Sequence, residues 1–142
     1  MGGDFFRSPP GRYLGYCHVV GRALPDELVS STTKRFLRTT TFTYMAFDTV
    51  YKTIDSRRFN PILKAADALI WQSLASILIP GFVVDLVAKG SSILVHNLQV
   101  SKPMNRYIPI GMVLMAMPIF GDSIDRTVNL VLDNTTRPLI LR

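Results

Sequence analysis

Ala68–Val84 reads ALIWQSLASILIPGFVV, an unbroken run of 17 residues without a charge, closed off by Asp67 and Asp85. Wound as a helix it would measure about 25 Å at about 1.5 Å per residue, enough to cross a thin hydrocarbon core. A helix of a water-soluble core would show a polar side chain to water at every third or fourth position. Here only Gln72, Ser73 and Ser76 are polar. Gln72, Ser76 and Pro80 follow one another at i, i+4 and i+8, with Ser73 beside them, while Ile70, Leu74, Ile77 and Leu78 cover much of the remaining circumference. The pattern predicts a main membrane span over residues 68–87. Its helix-packing stripe is Gln72, Ser73, Ser76, Pro80 and Gly81, and a broad apolar face is left for lipid. Small and hydroxyl residues on such a stripe permit close backbone approach and interhelical hydrogen bonds. Pro80 lacks an N–H, which predicts a kink and a freed carbonyl at Ser76. The alternative is a water-soluble buried helix that ends at Pro80.

Working outward, Tyr107–Gly121 (YIPIGMVLMAMPIFG) is a second uncharged stretch, short for a straight span and bracketed by Pro109 and Pro118. Pro109 suits a helix start and Pro118 a kink or stop. Tyr107, with Arg106 and Lys102 just before it, has the make-up of an interfacial anchor. Met112, Met115 and Met117 read as adaptable packing, because no His, Cys or carboxylate is interleaved with them. Phe36–Ile54 is a weaker third span carrying Arg38, Asp48 and Lys52 and four threonines between positions 39 and 43. A lone lipid-facing helix would not carry Asp48, so either its polar face packs on protein or the segment lies at the membrane interface, and the reading taken is a third membrane helix buried against partners. Asp48 and Lys52 form an i, i+4 pair in the favourable order, worth only tenths of a kcal/mol on an exposed helix. Residues 123–133 read as a short amphipathic helix, with Ile124, Val128, Val131 and Leu132 on one stripe and Asp125, Asn129 and Asp133 on another. Asp55–Lys64 and Ile93–Val100 are the expected connections. The fold class is therefore an all-α membrane protein: one membrane-embedded unit over 1–142, with about three spanning or embedded helices and a short amphipathic C-terminal helix.

Composition narrows the chemistry. At 142 residues with 48% apolar side chains, the chain is too apolar for disorder and long enough for one modest domain. Cys17 is the only cysteine, so an intrachain disulfide is ruled out, and with His18 and His96 it leaves too few soft ligands for a structural zinc site. His96 has no carboxylate near it in sequence and reads as a polar filler. The net charge of +6 suits either nucleic acid or anionic lipid. Its basic residues flank the apolar stretches in short clusters, which fits membrane edges. Lys34, Arg35, Arg38, Arg57 and Arg58 are accordingly the expected lipid-headgroup contacts. No metal and no catalytic residue is expected. Asp48 is the single ionisable candidate that a membrane enzyme or carrier reading would need. The N-terminus has no apolar core of secretory length, and Arg7, Arg12 and Arg22 with few acids give a faint mitochondrial address. Lys and Arg are too evenly divided between the two sides to set an orientation.

Several strings in this chain resemble the mitochondrial fission process protein 1 family, in the family's order. They are Arg12-Tyr13-Leu14-Gly15-Tyr16, Trp71-Gln72-Ser73-Leu74-Ala75-Ser76, Ile79-Pro80-Gly81-Phe82, Pro118-Ile119, Ile124-Asp125-Arg126-Thr127-Val128 and Leu132-Asp133. The WQxLAS…IPGF block is the most specific of them. The resemblance implies a small multi-pass protein of the inner mitochondrial membrane, without known enzymatic chemistry and linked to membrane organisation and division. The chain departs from the family at Pro25-Asp26-Glu27, in the threonine-rich stretch around Lys34–Thr43, and at Ser123, where the family tends to place a proline. Such a polar first span suits a helix packed permanently against other proteins. The expected function is thus a structural accessory subunit of a large respiratory-chain or ATP synthase assembly. The alternative is an independent regulator of mitochondrial fission and inner-membrane organisation. The expected partners are membrane lipids and other subunits of an inner-membrane complex, with no nucleic acid and no small-molecule substrate. No cofactor is expected, bound phospholipid such as cardiolipin aside.

Overall fold

The computed structural model describes residues 6, 8–55 and 60–140, and their regular structure is helical throughout, with no strand among them. A 3₁₀ turn, Gly11–Tyr16, runs into α1 (Cys17–Ala23). Then come α2 (Ser31–Asp55), α3 (Pro61–Gln72), a π-helical segment (Ser73–Leu78), α4 (Ile79–Asn97), α5 (Lys102–Asn134) and α6 (Arg137–Ile140).

In threonine-rich α2, three hydroxyls turn back onto the helix's own backbone. Thr40 donates to the carbonyl of Phe36 (3.0 Å), Thr49 to Met45 (2.8 Å) and Thr53 to Thr49 (2.7 Å). Back-bonding of this kind hides the hydroxyl's polarity at the cost of a slightly weakened helix. Apolar Phe36, Phe47 and Ile54 are left facing outward, each more than 60% exposed.

Between Asn60 and Leu98 the chain is one rod. The Asn60 side chain accepts from the Ile62 N–H at 3.0 Å, and Pro61 occupies the first turn, where its missing donor costs nothing. Pro61–Asn97 runs without interruption through Pro80, so the helix does not stop there, and Pro61–Lys64 and Ile93–Asn97 are helix where connections were expected. Gln99, at φ 48°, sits in the turn that follows. α5 then packs along α4. It joins the predicted 107–121 span and the predicted 123–133 amphipathic helix into a single helix of 33 residues, with Pro109 and Pro118 both inside it. The separate C-terminal helix is thereby corrected: its apolar residues Ile124, Val128 and Leu132 continue the buried stripe begun by Val113, Ala116 and Met117. α6 is tied back by Arg137, which reaches Asp67 on α3 (3.0 Å) and Asp133 on α5 (2.6 Å).

Two apolar clusters hold the bundle. Tyr16, Val19, Val84, Val113, Ala116 and Met117 form one, and Trp71, Ala75, Ile124, Val128 and Leu132 the other. The outside is also apolar. Two helices, Pro61–Asn97 and Lys102–Leu139, are long and apolar enough to cross a membrane, and only 22% and 28% of their most apolar windows are buried within the chain. Leu78, Phe82, Met115, Ile119 and Leu130 lie bare on that surface. A core helix of a water-soluble protein would have these side chains covered.

Candidate functional site

A few ionisable groups run the other way, into the interior. Arg12 is 3% exposed and Asp48 0%. The Arg12 guanidinium forms a two-point ion pair with Asp125, Nε to Oδ2 at 2.9 Å and Nη2 to Oδ1 at 2.7 Å. Arg12 Nη1 donates to Ser76 Oγ at 2.9 Å, and Ser76 Oγ donates to Gln72 Oε1 at 2.6 Å. Gln72 Nε2 donates to Asp48 Oδ2 at 2.5 Å, and Lys52 Nζ closes the chain on the same oxygen at 2.9 Å. One continuous relay therefore links α5, the N-terminal turn, the long rod and α2. It contains two carboxylates and two cations, so the charges of the relay balance, the condition under which burying charge is tolerated. Trp71, fully buried, is its apolar wall. The Arg12 guanidinium lies 5.0 Å from the Trp71 ring and 4.5 Å from that of Tyr16, and Lys52 Nζ 5.4 Å from Trp71. Trp71 Nε1 donates to Asn129 at 3.1 Å.

Pro80 acts on this site through the π-helical segment. The Ile79 N–H is turned to the carbonyl of Leu74, five residues back, and Pro80 has no N–H to offer. The carbonyl of Ala75 thereby loses both helical donors within its reach, and Arg12 Nη2 donates to it at 2.6 Å. The acceptor that a side chain satisfies is thus at Ala75, one residue before the Ser76 carbonyl that the proline alone predicts. The shift of one residue follows from the wider π register. Gly15 makes the approach feasible: a Cβ there would stand 2.8 Å from Arg12 Nη1 and 2.9 Å from Ser76 Oγ.

Of the sequence-predicted packing stripe, Gln72, Ser76, Pro80 and Gly81 are buried and Ser73 is half-buried. Gln72 and Ser76 lie in the relay. Gly81 lends its carbonyl to Arg22 at 3.4 Å, and Ser73 has no role in the relay. Asp48 and Lys52 are not an exposed surface pair but the α2 end of the relay. Asp48, the α2 residue expected to need a partner protein, is met by this chain's own Gln72. Of the expected headgroup contacts, Lys34, Arg35 and Arg38 line one cleft with Arg22 and His18. Arg57 and Arg58 lie outside the described residues. His18, half-buried on short α1, is pushed below its ordinary pKa, first by burial and then by Arg22 and Arg38. Arg12 and Asp125 were missed as a pair. Their signal was present, since one opens the RYLGY string and the other sits in IDRTV, but nothing in either string joins them.

Among the described residues the relay joins helices, with Arg12 and Asp48 buried and their charges paired within it. Among the described residues no group of three or more His, Cys, Asp or Glu could hold a metal ion. Apolar outside and charge-paired inside, the molecule has the make-up of a small helical bundle built to meet hydrocarbon. The chain belongs to the Mitochondrial 18 kDa protein (MTP18) family, whose model matches residues 30–132, and it is a divergent member. It is 29% identical over 147 residues to the mitochondrial fission process protein 1 of Caenorhabditis elegans, covering 96% of this chain and 88% of that one. The proteins of the same name from Danio rerio and Homo sapiens are each 28% identical, over 96% of this chain and 88% and 87% of theirs. No solved structure matches the chain.

Proposed function

We propose that this chain is an integral protein of the inner mitochondrial membrane that acts in mitochondrial fission and catalyses no reaction. α2, Pro61–Asn97 and Lys102–Leu139 are its three spans in this reading. The single observation that carries it is family membership, supported by relatives that bear the name mitochondrial fission process protein 1 along nearly the whole chain. For α2 the support is physical. Asp48 and Lys52 end in the relay, the hydroxyls of Thr40, Thr49 and Thr53 turn to the helix's own backbone, and Phe36, Phe42, Phe47, Val50 and Ile54 face outward to lipid, with Lys34, Arg35 and Arg38 in its first two turns at headgroup level.

The reading as an accessory subunit of a respiratory-chain or ATP synthase assembly leaned on a polar first span in need of permanent partners. Asp48, the charge at the centre of that span, is met inside the chain by Gln72 and Lys52, and the relatives named above are called fission process proteins. Fission regulation is therefore the better-supported role. Depleting the protein separates the two. Elongated mitochondria with fully assembled respiratory complexes and ATP synthase on native gels are the expected result. Loss of one assembled complex with unchanged mitochondrial shape would overturn it.

A further inference from the structure

The first two turns of α2 carry Lys34, Arg35 and Arg38, and no acidic residue stands in its first turn. That is the wrong end of a helix for cations. The N-terminal end of the helix dipole is positive and favours anions, and like charges three and four residues apart repel. Lys34 and Arg38 stand four apart, Arg35 and Arg38 three apart. The three do not point into separate solvent. Together with Arg22, His18, Gly21 and Ser31 they line a cleft of about 400 Å³ between α1 and α2, in which Asp26 is the single carboxylate. Asp26 is used by Lys34 at 2.8 Å, and Arg22 is held on the cleft's edge by Asp85 at 2.9 Å. The guanidinium groups of Arg35 and Arg38 have no hydrogen-bond or ion-pair partner among the described residues, and both are exposed. Two free guanidinium forks and a serine hydroxyl at a helix start are a donor set matched to phosphate oxygens. Through Arg22 the cleft adjoins Asp85, the residue that ends the uncharged run.

We propose that this cleft binds a phosphate-bearing anion, held by Arg35 and Arg38. The phosphate is that of an anionic phospholipid headgroup or of a soluble phosphate compound. The site does not depend on the fission reading and would stand if that reading failed. The test uses the full chain in phosphatidylcholine nanodiscs. Inorganic pyrophosphate is titrated by calorimetry, and fluorescent cardiolipin admitted to the discs is followed by energy transfer from Trp71. The wild type is expected to bind at least one probe. Arg35→Gln/Arg38→Gln should weaken that binding about tenfold or more, whereas Lys89→Gln/Lys102→Gln, two exposed cations outside the cleft, should change it less than about twofold. Binding of cardiolipin alone assigns the phosphate to a lipid, and binding of pyrophosphate to a soluble ligand. Circular dichroism checks that both variants keep their helix content, which neither pair of exposed side chains should disturb. Failure of both probes to bind the wild type, or equal losses in the two double variants, would overturn the proposal.

Discussion

Arg12 and Asp125, 113 positions apart in sequence, meet inside the bundle in a forked ion pair with contacts of 2.9 and 2.7 Å. The same guanidinium satisfies a carbonyl that Pro80 and the π register leave without a donor. One side chain thus joins the N-terminal turn to both long helices.

Removing it should be severe. Arg12→Met would leave Asp125 largely buried without its cation and Ala75 without a donor, a loss of about 3–5 kcal/mol. Arg12→Lys should fall between the two, because a point charge cannot serve Asp125, Ser76 and Ala75 at once. Denaturant titration in detergent micelles, followed by tryptophan fluorescence, measures both. Equal stability of Arg12→Met and wild type would show that the relay contributes nothing to the fold.

Pro80→Ala restores an N–H and lets the helix return to α register, which gives Ala75 a backbone donor. The cost of Arg12→Met should then be smaller in the Pro80→Ala background, by about 1 kcal/mol in a double-mutant cycle. Strict additivity of the two substitutions would mean that the π segment and Arg12 are independent.

Gly15 and Gly90 should respond in opposite directions to the same change. A Cβ at Gly15 meets Arg12 and Ser76 under 3 Å, whereas at Gly90 it meets nothing within 4 Å. Gly15→Ala is expected to destabilise by about 1–3 kcal/mol. Gly90→Ala, within α4, should stabilise by about 0.5–1 kcal/mol through helix propensity. Thermal unfolding of the two variants side by side tests the pair.

The helices were legible where local pattern decides. The uncharged run around Ile77 and the stripe of Gln72 and Ser76 are properties of one segment, and periodicity reports them. Two local rules misled. Pro118 reads as a kink or stop, yet α5 continues through it, because its apolar stripe packs on the long rod on both sides of the proline, Val113 to Met117 against Val84 and Ile124 to Leu132 against Trp71 and Ala75. Asp48 reads as a demand for an outside partner, because its true partner, Gln72, lies 24 positions away on another helix. Pairings at that range, and the 113-residue separation of Arg12 and Asp125, are tertiary facts that no spacing within one segment encodes.

Extraction of isolated mitochondria with alkaline carbonate tests whether hydrocarbon is the medium that covers Leu78, Phe82 and Ile119. Carbonate strips proteins held at a surface by charge and leaves those embedded in the bilayer. The chain should remain wholly in the membrane pellet, beside a known multi-pass protein. Its quantitative release into the supernatant, folded and monomeric, would contradict the membrane-embedded bundle and the spans assigned to it.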